Sequence, residues 1–133
     1  MTTVRRVLVV DDEPAVRQIV ARLLRMAGYD ADEAQCGEEA IESLERAGAD
    51  IVLLDLEMPG MSGRTLFHAI RSRWPGLGAS VIVMSGDVET PEIADWVALH
   101  RIPVLEKPFG RAALLAAVEA VPVSLRRRVN GAD

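Results

Sequence analysis

The chain has 133 residues, a formal net charge of −5, 50% hydrophobic and 26% charged residues, which describes one globular domain rather than a disordered segment. A chain of this length buries roughly two thirds of its unfolded surface and needs no metal or disulfide to fold. The single cysteine, Cys36, excludes an intramolecular disulfide and a cysteine-based zinc site, no apolar run is long enough to span a membrane, and the acidic balance disfavours a broad nucleic-acid surface.

Short apolar runs alternate with segments of helical period along the whole chain. Val7 to Val10 reads as a first strand. Pro14 opens a helix to about Ala27, with Val16, Ile19, Val20, Leu23 and Leu24 on one face and Gly28 as its stop. A polar strand follows near Tyr29 to Ala34, then a helix from about Glu38 to Ala47. Ile51 to Leu54 is the third strand. Ser62 is placed to cap a third helix carrying Leu66, Phe67 and Ile70, and Pro75, Gly76 and Gly78 form a turn. Val81 to Met84 is the fourth strand. Thr90-Pro91 reads as the N-cap and first residue of a fourth helix with Ile93, Trp96 and Val97. Ile102 to Leu105 is a fifth strand, placed at an edge because Pro103 lacks an N–H. A last helix runs from Arg111 to about Val121, where Pro122 stops it.

Continuous apolar strands call for helices on both sheet faces, and right-handed crossovers then give a doubly wound parallel sheet. The expected fold is α/β, a flavodoxin-like (βα)5 sheet in strand order 2-1-3-4-5, with the polar second strand and the proline-bearing fifth strand at the edges. The expected domain spans residues 4–122, leaving a short basic tail over 123–133.

In such sheets ligands bind beyond the carboxyl ends of the strands. There stand Asp11 and Asp12 after the first strand, Asp55 after the third, Ser85 after the fourth and Lys107 after the fifth. Lys107 is the only lysine beside fourteen arginines. Each residue has an ordinary reading on its own. Asp12 caps a helix, Asp55 and Ser85-Gly86 make turns, and Lys107 is a solvated loop residue. Their arrival at one end of one sheet favours a joint role. Converging carboxylates repel one another, and a hard divalent cation relieves the repulsion. A hydroxyl and an ammonium beside them suit phosphoryl transfer to a carboxylate.

The segments VLVVDDEP (Val7 to Pro14), IVLLDLEMPGMSG (Ile51 to Gly63), VIVMSG (Val81 to Gly86) and LEKPF (Leu105 to Phe109) together resemble the response-regulator receiver domain of bacterial two-component signalling. The resemblance covers roughly Arg5 to Val121. It implies that Asp55 accepts a phosphoryl group from a histidine kinase or a histidine phosphotransfer protein. It implies Mg²⁺, or Mn²⁺ in its place, held by Asp11, Asp12, Asp55 and the backbone carbonyl of Glu57. Ser85 would bind a phosphoryl oxygen, and Lys107 would pair with Asp55 or its phosphate across a cis Lys107-Pro108 peptide. Output would pass to a protein partner on the surface of the fourth helix, fifth strand and fifth helix. The chain would act in the cytoplasm as a receiver without an output domain. Self-phosphorylation and autodephosphorylation at Asp55 would be its only chemistry.

Two features depart from the family pattern. Val104 stands three residues before Lys107, where the family often carries an aromatic switch residue, so ring rotation cannot report phosphorylation here. Glu57 and Asp87, each two residues past a site residue, are placed to act on the water that attacks an acyl phosphate. Other readings compete. Asp55-Leu56-Glu57 superficially matches a phosphatase of the haloacid-dehalogenase type, but that nucleophile usually follows a first strand. A pseudo-receiver that binds partners without phosphorylation fits Val104 but not the complete acidic, hydroxyl and lysine set. His68 and His100 read as isolated helix residues, and Trp96 reads equally as core or as partner surface.

Overall fold

The computed structural model describes residues 4–78, 80–87 and 90–122. The tail expected at 123–133 lies outside them. Five strands alternate with five helices: β1 (Arg6–Val10), α1 (Pro14–Met26), β2 (Asp30–Ala34), α2 (Gly37–Ala47), β3 (Ile51–Asp55), α3 (Gly63–Arg73), β4 (Val81–Ser85), α4 (Pro91–His100), β5 (Val104–Glu106) and α5 (Arg111–Glu119). The expected turn after α3 is a single helical turn, Pro75–Gly78. All strands pair in parallel in the order β2-β1-β3-β4-β5, as expected.

Strand pleating sorts the apolar runs into two cores. Leu8, Val10, Val52, Leu54, Val81 and Val83 face α2, α3 and α4, where Leu44, Leu66, Phe67, Ile70 and Trp96 cover them. Val7, Val9, Ile51, Leu53, Ile82 and Met84 face α1 and α5, where Val20, Leu24, Leu114 and Val118 cover them. β1, β3 and β4 are apolar on both faces because both are covered. Trp96 is buried, so it belongs to the core.

The start of β5 and the capping of α4 differ from the sequence expectation. β5 begins at Val104, not Ile102, so Pro103 lies just outside it. Pro103 still contributes the group it has, since its carbonyl accepts the Val83 N–H at 2.9 Å. Thr90 stands at the N-cap of α4 but makes no side-chain cap bond; its hydroxyl donates back to the Asp87 carbonyl at 2.9 Å. Ser62 caps α3 as expected, accepting from the Thr65 N–H at 3.2 Å.

The start of α3 presses against the end of β3. A Cβ on Gly63 would meet the Asp55 carbonyl oxygen and lie 2.6 Å from the Leu56 Cα. Both obstacles are backbone and cannot move aside without displacing Asp55. A Cβ on Gly37 would meet only the Met61 side chain. Gly63→Ala is expected to lower unfolding free energy by about 3 kcal/mol in a urea melt, and Gly37→Ala by clearly less.

Candidate functional site

The central position of β1 and β3 brings Asp11 and Asp55 together. Asp11 immediately follows β1, Asp55 ends β3 and Ser85 ends β4. All three side chains are buried at the carboxyl end of the sheet. One device turns the chain at each of these strand ends. The side-chain oxygen accepts the backbone N–H two residues on: Glu13 to Asp11 Oδ1 at 3.0 Å, Glu57 to Asp55 Oδ1 at 3.1 Å, and Asp87 to Ser85 Oγ at 3.0 Å. Such local bonds favour a turn over a continued strand and fix each side chain's direction.

Lys107 reaches in from the edge strand. Its Nζ lies 2.9 Å from Asp11 Oδ2 and 3.4 Å from Asp55 Oδ1. The sequence pointed to Asp55 as its partner, whereas the shorter contact is to Asp11. Its own N–H donates to the Ser85 carbonyl at 2.9 Å, tying the end of β5 to that of β4. The Lys107-Pro108 peptide is cis. Asp12 is half-buried, and the helix start at Glu13 has no side-chain cap. Among the described residues, Asp11, Asp12 and Asp55 form a group whose carboxylate oxygens lie within 4.8 Å of one another. This cluster could hold a metal ion.

Two contacts at the site were not expected from the sequence. The Glu57 carboxylate, considered there for its backbone carbonyl and its action on water, accepts the Ser85 hydroxyl at 2.8 Å. Arg17 donates to the Asp11 carbonyl at 3.0 Å while its Nε meets Glu33 at 3.1 Å. The available signal was that Arg17 lies in the early turns of α1, at the site end of that helix. With the Asp11 N–H donated to Ala34 at 3.1 Å, the backbone of Asp11 is held from both sides.

The charges are out of balance. Burial, then the neighbouring Asp11 charge and a hydrogen bond to Glu57, push Asp55 up to about 8, with Lys107 opposing. Burial alone would raise Glu57, but hydrogen bonds from Ser85 and Asp55 hold it below the usual carboxylate range. Burial alone would lower Lys107, but its bond to Asp11 and the charges of Asp55 and Asp11 hold it above the usual lysine value.

A family model described as the response regulator receiver domain matches residues 7–119. The chain belongs to that family. It is 37% identical over 129 residues to the sensory transduction protein RegX3 of Mycolicibacterium smegmatis, covering 96% of this chain and 53% of that protein. It is 32% identical to protein Rrf1 of Nitratidesulfovibrio vulgaris, over 86% of this chain and 80% of that one. It is also 37% identical to a segment of the sensor kinase CckA of Brucella abortus, which is 12% of that kinase's length. The chain thus spans about half the length of RegX3 and a smaller share of CckA. Among solved structures, the chemotaxis protein CheY4 of Vibrio cholerae superposes with a TM-score of 0.82 at 28% identity, over 90% of this chain and 100% of that one. Receiver domains are phospho-accepting signalling domains rather than enzymes with a small-molecule substrate. No helix among the described residues is long and apolar enough to cross a membrane.

The elevated Asp55 gives a stability prediction. Its folded value of about 8 lies above its unfolded value near 3.8, so protonated Asp55 favours the fold. That contribution is present below the unfolded value and is lost as pH rises through about 8. In metal-free buffer Asp55→Asn should therefore be more stable than wild type at pH 9, by about 1–3 kcal/mol. The difference should shrink toward pH 5. Thermal melts at the two pH values measure it.

Proposed function

We propose that Asp55 is the phospho-acceptor of this receiver, with a histidine kinase or histidine phosphotransfer protein as donor. The observation that supports this most is the meeting of Asp11, Asp55 and Lys107 around one ammonium, 2.9 and 3.4 Å from the two carboxylates, with a buried serine hydroxyl on the next strand. An oxygen of ionised Asp55 attacks the phosphorus of a phosphohistidine. The new O–P bond forms as the P–N bond breaks, and the departing imidazole takes up a proton. Hydrolysis undoes the transfer: a water oxygen bonds to phosphorus as the Asp55 O–P bond breaks, the water gives up a proton, and phosphate leaves the restored carboxylate.

The three hard carboxylate donors fit Mg²⁺, or Mn²⁺ in its place. Asp11, Asp12, Asp55 and the Glu57 carbonyl would hold it. When bound, such an ion neutralises charge on the phosphoryl oxygens. Lys107 offers a compact cation that can exchange its Asp11 contact for a phosphoryl oxygen. Ser85 has a hydroxyl to donate once it leaves Glu57, and it carries the start of the β4–α4 connection with it.

Output then passes through a protein contact on α4, β5 and α5. Leu99, on α4, is 77% exposed, which suits such a contact. Val104 is half-buried on β5, and a valine has no ring to rotate. Coupling in this chain therefore rests on a shift of the Ser85 end of β4 relative to α4. The reading assigns the protein to the cytoplasm, where ATP charges such a histidine. Its relatives include a sensor kinase, which is consistent with a place in a two-component pathway.

Incubation with acetyl phosphate and Mg²⁺, followed by intact-protein mass, tests the reading. Wild type should gain one phosphoryl group, the gain should disappear on chelation, and Asp55→Asn should gain none. Lys107→Ala should accept about a hundredfold more slowly. Phosphoryl uptake by Asp55→Asn at the wild-type rate would refute the assignment.

A further inference from the structure

The two histidines are not isolated. His68 on α3 and His100 on α4 face each other with ring centroids 5.0 Å apart. Trp96 and Phe67 complete the cluster, Phe67 edge-on to Trp96 at 5.3 Å. Within it the Trp96 indole N–H donates to His68 Nε2 at 3.2 Å. An indole nitrogen can only donate, so His68 Nε2 must carry no proton for this bond to exist. Trp96 is buried, so losing its acceptor leaves a buried donor unmatched.

We propose that His68 is a proton-operated latch between α3 and α4: neutral, it holds Trp96 and fastens α4 to α3, and protonated, it releases Trp96 and loosens α4. The latch does not depend on the assignment of Asp55.

The surroundings favour the closed state. From α3, Arg64 lies over the Trp96 ring at 5.3 Å and Arg71 over Phe67 at 5.6 Å. From α4, His100 faces His68, and its Nδ1 lies 3.4 Å from Arg71. The nearby carboxylate of α4, Glu92, is engaged by Arg64 at 2.7 Å. The groups that act on His68 therefore oppose a positive charge. His68 is an exposed residue, and the partial desolvation of its ring against its neighbours, then His100, Arg64 and Arg71, hold its imidazole below the usual 6.5. The sign follows. The bond is fully present above the unfolded value of 6.5 and is lost as pH falls through the lower folded value. The helix it restrains is the one that follows the Ser85 connection, so a proton at His68 and a ligand at Ser85 would act on the same element.

The test uses Trp74→Phe, which leaves Trp96 as the only tryptophan of the two. Its emission and its indole N–H resonance are followed from pH 8 to pH 5. One step is expected, with a midpoint below 6.5 and the indole proton moving toward its unbonded position. In His68→Gln the side-chain carbonyl can accept the same bond but takes no proton. The step should fall at least fivefold in amplitude. In His100→Gln the step should persist with its midpoint moved upward, since a like charge is gone. The ring protons of His68 in the unsubstituted protein report the same titration without any variant. A flat indole resonance over this range, a step that survives in His68→Gln, or a His68 midpoint at or above 6.5 would overturn the proposal.

Discussion

One ammonium faces two buried carboxylates, and it cannot neutralise both. Lys107 sits closest to Asp11, so Asp55 is left with the weaker share of the positive charge. Burial then makes its ionised form costly. A structure that placed stability first would replace one of these acids. The fold instead spends its most buried strands, β1 and β3, on holding the two acids side by side. The helix-start and turn bonds at Asp11, Asp55 and Ser85 fix their directions before any ligand arrives. Such a site is preorganised for added positive charge and for an acceptor that redistributes the existing charge.

The same crowding would give a small chemical change at Asp55 mechanical reach. Ser85 is tied to Glu57 through its hydroxyl and to Lys107 through its backbone. Glu57 is in turn tied to Asp55. A change at Asp55 therefore alters the partners of Ser85 and Lys107 together, and these residues end β4 and follow β5. If Asp55 is the phospho-acceptor as proposed, the valine at 104 on β5 leaves displacement of backbone segments, not rotation of a ring, to carry the response. α4 follows β4, and it is held on α3 by the Phe67, His68, Trp96 and His100 cluster together with the Arg64–Glu92 ion pair.

Much of this was legible in the sequence, for physical reasons that can be named. β1, β3 and β4 are buried on both faces and so read as unbroken apolar runs. Asp11, Asp12, Asp55, Ser85 and Lys107 followed from strand ends alone, because a parallel sheet delivers every strand end to one side. The start of β5 did not follow, since Pro103 lacks an N–H yet still offers its carbonyl to Val83. The preference of Lys107 for Asp11 was hidden as well, because two acids adjacent in space compete for it and only distance decides. Glu57 and Arg17 reach their partners through long side chains whose rotamers no spacing rule predicts. His68 and His100 lie on different helices, and neither helix's own periodicity shows that they meet.

The charge imbalance at Asp55 is the premise on which the rest stands, and carboxyl carbon NMR reads it directly. With aspartate labelled at the side-chain carboxyl carbon, the Asp55 resonance would be followed from pH 4 to pH 10, without metal and then with saturating Mg²⁺. A midpoint near 8 is expected in the metal-free protein, falling by more than about two pH units when the cation is present. A midpoint near that of an ordinary aspartate in both conditions would contradict it.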